Sequence, residues 1–231
     1  VQALPQRWKN NFILTLITDR PVGRLQTMVT QREIKAEITR EKILEAAADE
    51  MYRVGFQAAS LCDILARLGI SKGALYHHFP SKLALGYAVL DDVLLGRIGN
   101  AWDTALSQED PIEGLCDLLE AEARVMSGMR LTCGCPLNNL AQEMSPVDEG
   151  FRQRIEKIYR VWQRRIQNAL AGAQQRGVLR DDFDAGEVAY FIIASLQGAV
   201  GLAKNAQDCG IFRSSIKGLS SYLKNLKKLS S

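Results

Sequence analysis

Histidine is scarce in this chain: the 231 residues hold two, adjacent at positions 77 and 78. No Gly-rich phosphate loop, nucleophile elbow or metal-ligand spacing accompanies them, so the sequence offers no catalytic residues, no metal site and no cofactor motif. Long apolar runs are missing too. The longest near the start, Phe12–Ile17, is far too short to span a bilayer. No basic segment, apolar segment and small-residue cleavage site follow one another as in a secretory signal. Strand-like alternation is nowhere sustained, which argues against a sheet protein. The five cysteines are odd in number and lack framework spacing. That points to free thiols in a reducing compartment, a cytoplasmic protein with no membrane partner.

Charge is nearly balanced, but its placement is uneven. Through Ser81 there are eleven Lys and Arg against eight Asp and Glu, and from Lys82 onward eighteen of each. The whole excess of +3 therefore lies in the first third, where a nucleic-acid footprint is expected. What the chain does have is helical periodicity punctuated by glycine and proline. Helices are expected near 39–54, 60–67, 71–78, 81–107, 111–129, 136–143, 147–176, 184–204 and 210–228, which makes the fold class all-α. The expected organisation is an N-terminal extension with little fixed structure at 1–27, a three-helix helix-turn-helix DNA-binding domain at 28–81, and a helical ligand-binding and dimerisation domain at 82–231.

The densest signals lie between Thr39 and Lys82. Thr39 is expected to open the first helix, with Glu41 against the positive end of the dipole. Ile43, Ala47 and Met51 form an apolar stripe joined by Leu44 and Ala48. Gly55 supplies a left-handed stop, after which Phe56 turns back to the core. Ser60 with Asp63 reads as a capping box for a helix barely two turns long that ends at Gly69, and Ser71 caps a third. Such short helices are not stable alone, so all three must share a core. A tight glycine-containing turn between two helices is the helix-turn-helix pattern, whose second helix enters the DNA major groove. In that helix Leu75 and Phe79 face inward, which leaves Lys72, Gly73, Ala74, Tyr76 and His77 outside. One cation, two tiny residues, a phenol and an imidazole suit close approach to a phosphate backbone. His78 falls on the inner side, where packing is expected. Successive residues point about 100° apart on a helix, so His77 and His78 cannot chelate one metal together.

The stretch Ile70-Ser71-Lys72-Gly73-Ala74-Leu75-Tyr76-His77-His78-Phe79-Pro80-Ser81-Lys82 resembles the recognition segment of the TetR/AcrR family of regulators, and the match runs back through Gly55-Phe56 and Ile43-Leu44. One departure is Ala59, where the family commonly carries a hydroxyl residue. The resemblance implies a DNA-facing set in which Lys72, Gly73 and Ala74 approach bases or phosphates, Tyr76 and His77 hold phosphates, and Lys82 clamps the backbone. Thr39, Ser60 and Ser71 at the helix starts complete that set. It further implies a homodimeric repressor on a palindromic double-stranded operator, released by a small-molecule inducer, with the last two long helices forming the dimer interface. Ala194, Ser195, Gly198, Ala199 and Gly201 would let those helices approach closely.

Candidate ligand contacts are Trp102, Met126, Met129, Tyr159, Trp162 and Phe191, on helices expected to surround a central cavity, together with Cys135. The segment Thr132–Glu143 resembles a turn and short helix beside the cavity in one branch of the family, in which some members sense electrophiles through cysteine. Cys135 lies near a helix N-terminus, where the dipole can lower a thiol pKa, although free cysteine at a tight turn more often serves as a buried small hydrophobe. Two other readings therefore stand beside the inducible repressor: a thiol-based electrophile sensor, and an architectural DNA-binding protein without ligand control. The long remainder after Lys82, rich in aromatic and sulfur side chains, argues against the last.

Overall fold

The computed structural model describes residues 31–228; the extension expected at 1–27 lies outside them. The helices are α1 (Gln31–Ala58), α2 (Leu61–Leu68), α3 (Lys72–His78), α4 (Lys82–Ala88), α5 (Leu95–Leu106), α6 (Pro111–Val125), α7 (Met129–Cys133), α8 (Pro136–Met144), α9 (Glu149–Gln175), α10 (Ala185–Ala206) and α11 (Cys209–Lys224). A π-helical stretch, Val89–Leu94, joins α4 to α5 without a break, because Ala88, Val89, Leu94 and Leu95 all stay right-handed helical. Among the described residues there is no strand, only an isolated bridge between Leu179 and Lys227.

Three local expectations need correction. Thr39 does not open α1, which is already helical at Gln31. The preceding residues are strong helix formers with no breaker, so the capping preference loses. Thr39 Oγ1 instead donates to Lys35 O one turn back, at 2.8 Å. The helix expected to run to residue 129 stops at Val125: Met126 is extended and Gly128 takes φ 53°, ψ −130°, a conformation open only to glycine. Gly55 (φ 84°, ψ 170°) kinks α1 rather than ending it, and one more helical turn follows before Ala59.

Serine and aspartate caps set most of the other starts. Ser60 accepts from Asp63 N, Ser71 from Ala74 N, and Ser81 from Ala84 N, while Asp110, Asp148, Asp184 and Asp208 cap α6, α9, α10 and α11. Two apolar cores result. One gathers Ile43, Ala47, Met51, Ile64, Leu75 and Phe79 of the first three helices with Leu85, Leu90, Leu137, Phe151 and Ile155 from α4, the π stretch, α8 and α9. The other is built from α5, α6, α9, α10 and α11 around Trp102, Leu119, Trp162, Ile192 and Phe212. Tyr159 packs against both.

Candidate nucleic-acid interface and ligand cavity

The third helix presents the expected surface. Leu75 and Phe79 are buried beneath it, while Lys72, Gly73, Tyr76 and His77 are exposed; Ala74, also expected outside, is half-buried. Tyr76 is 40% exposed, so it does not plug the small core, and the Lys72 ammonium lies 5.7 Å from its ring centroid. A Cβ at Gly73 would meet nothing nearer than Ser71 Oγ at 3.9 Å. The fold thus has no need of glycine there, and the open space faces outward. His78 is half-buried, and burial, then His77 and Arg40, hold its pKa below the usual imidazole value against the pull of Glu37.

Lys82 has a structural role that its sequence position did not reveal. Its Nζ donates to Gln57 O at 2.9 Å and sits 5.0 Å from the Phe56 ring centroid, so it caps the last turn of α1. The same turn is held from the far side by Glu143 of α8, whose carboxylate accepts from Phe56 N at 2.9 Å and Gln57 N at 2.7 Å. Phe56 in turn packs on Phe151 of α9 with centroids 4.6 Å apart. The turn that aims α2 and α3 is therefore fixed by three later helices.

Between the two cores lies a cavity of ≈ 170 Å³. Trp102, Met126, Cys135 and Trp162 line it, as the sequence suggested, while three other candidates do not. Met129 starts the short α7 after the Gly128 break. Tyr159 turns to a surface groove with Arg152, Gln163 and Tyr190. Phe191 is 47% exposed and stacks edge-on against Tyr222 at 4.8 Å, because its position on α10 points away from the core.

The sequence reading missed the polar wall of the cavity. Tyr52 of α1 donates to Gly134 O at 2.9 Å, and Arg130 of α7 pairs with Glu122 of α6 at 2.6 Å. Gln197 of α10 also lines the cavity, and its Oε1 is buried without a protein partner, as are Arg130 Nη1 and Trp162 Nε1. A signal was present in Glu122, a charge set among Leu118, Leu119 and Ala123 on an otherwise apolar face. Burial pushes the Glu122 carboxyl up, opposed by Arg130. It also pushes the Tyr52 and Tyr159 phenols well above their usual range, so both stay neutral.

The same effect acts on Cys135. Burial pushes its thiol up and outweighs Asn138 N–H, the Gln197 side chain and Leu137 N–H, so the helix start does not make a thiolate. Its remaining accessible surface is in keeping with a residue that lines an internal cavity. All five cysteines are free.

A small capped helix-turn-helix head, welded to a helical body with an internal cavity, is the arrangement of a DNA-binding transcriptional regulator. Residues 43–89 match the family described as "Bacterial regulatory proteins, tetR family", and residues 111–217 match "Tetracyclin repressor-like, C-terminal domain". A regulator from Lactococcus lactis, "Uncharacterized HTH-type transcriptional regulator in lacX 3'region", is 31% identical over 177 residues, covering 76% of this chain and 88% of its own length. The "HTH-type transcriptional repressor DhaR" of a Mycobacterium species is 28% identical, over 70% of this chain and 80% of its own. A solved TetR regulator from Chloroflexus aurantiacus superposes with a TM-score of 0.73 at 27% identity, over 85% of this chain and all of that one. The chain belongs to the TetR/AcrR family of transcriptional regulators.

Proposed function

We propose that the protein is a cytoplasmic, homodimeric repressor that binds a palindromic operator through α3 and leaves it when a small molecule enters the cavity. One observation carries the reading: α1 shares a buried core with the reading helix and supplies Tyr52 to the cavity wall. Filling the cavity can therefore bear directly on the helix that positions α3. A ligand shifts the protein off DNA only by binding the released conformation more tightly than the bound one.

The outward face of α10 supports the dimer. Tyr190, Phe191, Ala194, Gly198, Gly201 and Leu202 fall on its open side, and Leu202 is 61% exposed. A Cβ at Gly198 or Gly201 would meet nothing within 4 Å, so the single chain leaves the stripe uncovered. An uncharged apolar stripe of this size marks a contact surface, and a twofold copy of the same face covers it. By length and a mean hydropathy of 1.4 this helix also resembles a membrane span. Its inner face, however, packs Val188, Ala189, Ile192 and Ala199 into the core.

The test is selection of duplex DNA by the purified protein, followed by mobility shifts and a mass measurement in solution. A dimer on a site of two inverted half-sites about one helical turn apart, or a multiple, is expected. A monomer, or equal affinity for random duplex at physiological salt, would refute it.

A further inference from the structure

The cavity is specific enough to name the chemistry of its ligand, an inference that rests on the reading of this cavity as the inducer site. We infer that it takes a neutral, single-ring aromatic compound bearing a carbonyl oxygen, such as an aryl ketone or ester.

Size sets the first limit. A cavity of about 150 Å³ lined by Leu, Ile and Phe holds one benzene, so ≈ 170 Å³ holds one ring and a small substituent. A fused polycyclic ligand would have to extend out through the open side of the cavity. The walls suit a ring: the edge-to-face pair Trp102 and Trp162, with centroids 4.9 Å apart, faces Leu118, Leu119, Met126 and Phe212.

Polarity sets the second. Arg130 Nη1 and Trp162 Nε1 are buried N–H donors with no protein acceptor, and Trp162 is only 4% exposed. Neither atom presents surface to the void, but a ligand oxygen that reaches either once the side chains over it give way removes the cost of a buried unsatisfied donor, which a hydrocarbon of the same shape cannot do. The unpaired Gln197 Oε1 offers the converse, an acceptor for a ring hydroxyl.

Charge sets the third. Each cation on the wall already has its own anion, Arg130 with Glu122 and Arg97 with Glu45. A carboxylate ligand would add an uncompensated negative charge close to Glu122 in a low-dielectric site. A neutral carbonyl adds none.

The experiment is a calorimetric titration of the full chain with three probes: acetophenone, ethylbenzene and benzoate. Acetophenone is expected to bind about five- to tenfold more tightly than either of the others, the worth of one buried hydrogen bond. Trp162→Phe should lower the ratio of acetophenone to ethylbenzene affinity, the quantity that reads the hydrogen bond, even where the altered wall moves both affinities. Should that variant fail to fold, the double variant Glu122→Gln/Arg130→Met serves the same purpose without stranding a charge. Equal affinity for ethylbenzene, tightest binding of benzoate, or no binding of any probe by folded protein would each overturn the inference. Operator binding is measured on the same samples without probe. Its loss would count against the regulator reading alone, since the titration needs no DNA.

Discussion

Replacing Glu143 by alanine should destabilise the protein by about 2–3 kcal/mol, although no part of the reading helix is touched. The carboxylate accepts two backbone N–H bonds, from Phe56 and Gln57. A hydrogen bond to a charged group contributes about 1.5–3 kcal/mol where water cannot replace it. Phe56 is buried, so its bond deserves the fuller figure of about 2 kcal/mol, whereas Gln57 is exposed and water takes over most of its share. At about 2–4 °C per kcal/mol for a chain of this size, the melting temperature should fall by roughly 5–10 °C. Glu143→Gln should recover little, because its amide nitrogen would confront one of the two donors. Gly55→Ala supplies the internal control. Its φ of 84° with ψ 170° costs any side chain about 1–3 kcal/mol in strain, and the new Cβ would lie 2.7 Å from Glu143 Oε2. In wild type the alanine also displaces the clamp, whereas in Glu143→Ala there is no clamp left to displace. The double variant should then be less damaged than the two single changes added together, by about 1–2 kcal/mol. Urea unfolding of the four proteins measures this. Additivity within about 0.5 kcal/mol would show that the clamp holds nothing.

Three further expectations concern the DNA face and the cavity. Lys82→Ala should weaken binding to all duplexes alike and lower the salt slope by about one unit, while its lost bond to Gln57 O costs about 1 kcal/mol in stability; an unchanged slope would make the residue purely structural. Tyr76→Phe should weaken operator binding and leave the melting temperature nearly unchanged, since the side chain is exposed and not part of the buried core; unfolding would contradict that placement. Cys135→Ser should keep both operator affinity and release by ligand, because the buried thiol stays protonated; a protein that binds but is no longer released would revive thiol sensing. His78 sets a pH trend. Its folded pKa lies below the unfolded value of 6.5, so the unfolded chain binds the proton more readily. The stability it contributes is complete above about pH 6.5 and is lost as pH falls through the depressed value. Melting curves of wild type and His78→Gln between pH 7.5 and 5.5 should converge toward acid, and parallel curves would refute the linkage.

Local chemistry was legible in the sequence where one residue type has one physical use. The serines at 60 and 71 cap the helices expected of them, and Leu75 and Phe79 face the core by periodicity alone. Thr39 misled because capping preference yields to a long uninterrupted run of helix formers. Phe191 misled because an aromatic on a helix reads the same whether it faces a core or a partner. The polar wall was unreadable for another reason. Tyr52, Glu122, Arg130 and Gln197 come from four helices scattered along the chain, and only tertiary packing brings them together. Glu143 belongs to this class too, since its acceptors' partners lie more than eighty residues away.

The first apolar core draws Leu85, Leu90, Leu137, Phe151 and Ile155 from beyond Ser81 to cover Ile43, Leu75 and Phe79. A fragment ending at Ser81 would bare those surfaces to water and lose the Glu143 clamp as well. The reading head is therefore not a cassette. It cannot be excised, fused elsewhere or traded for another head without bringing matching faces of α4, α8 and α9 along. On the proposed reading, grafting a new operator preference onto this scaffold means changing a few exposed side chains of α3, and grafting a new inducer means recutting the cavity wall. Diversification in such a molecule proceeds by substitution in place, with the seam between its halves as the part least free to vary.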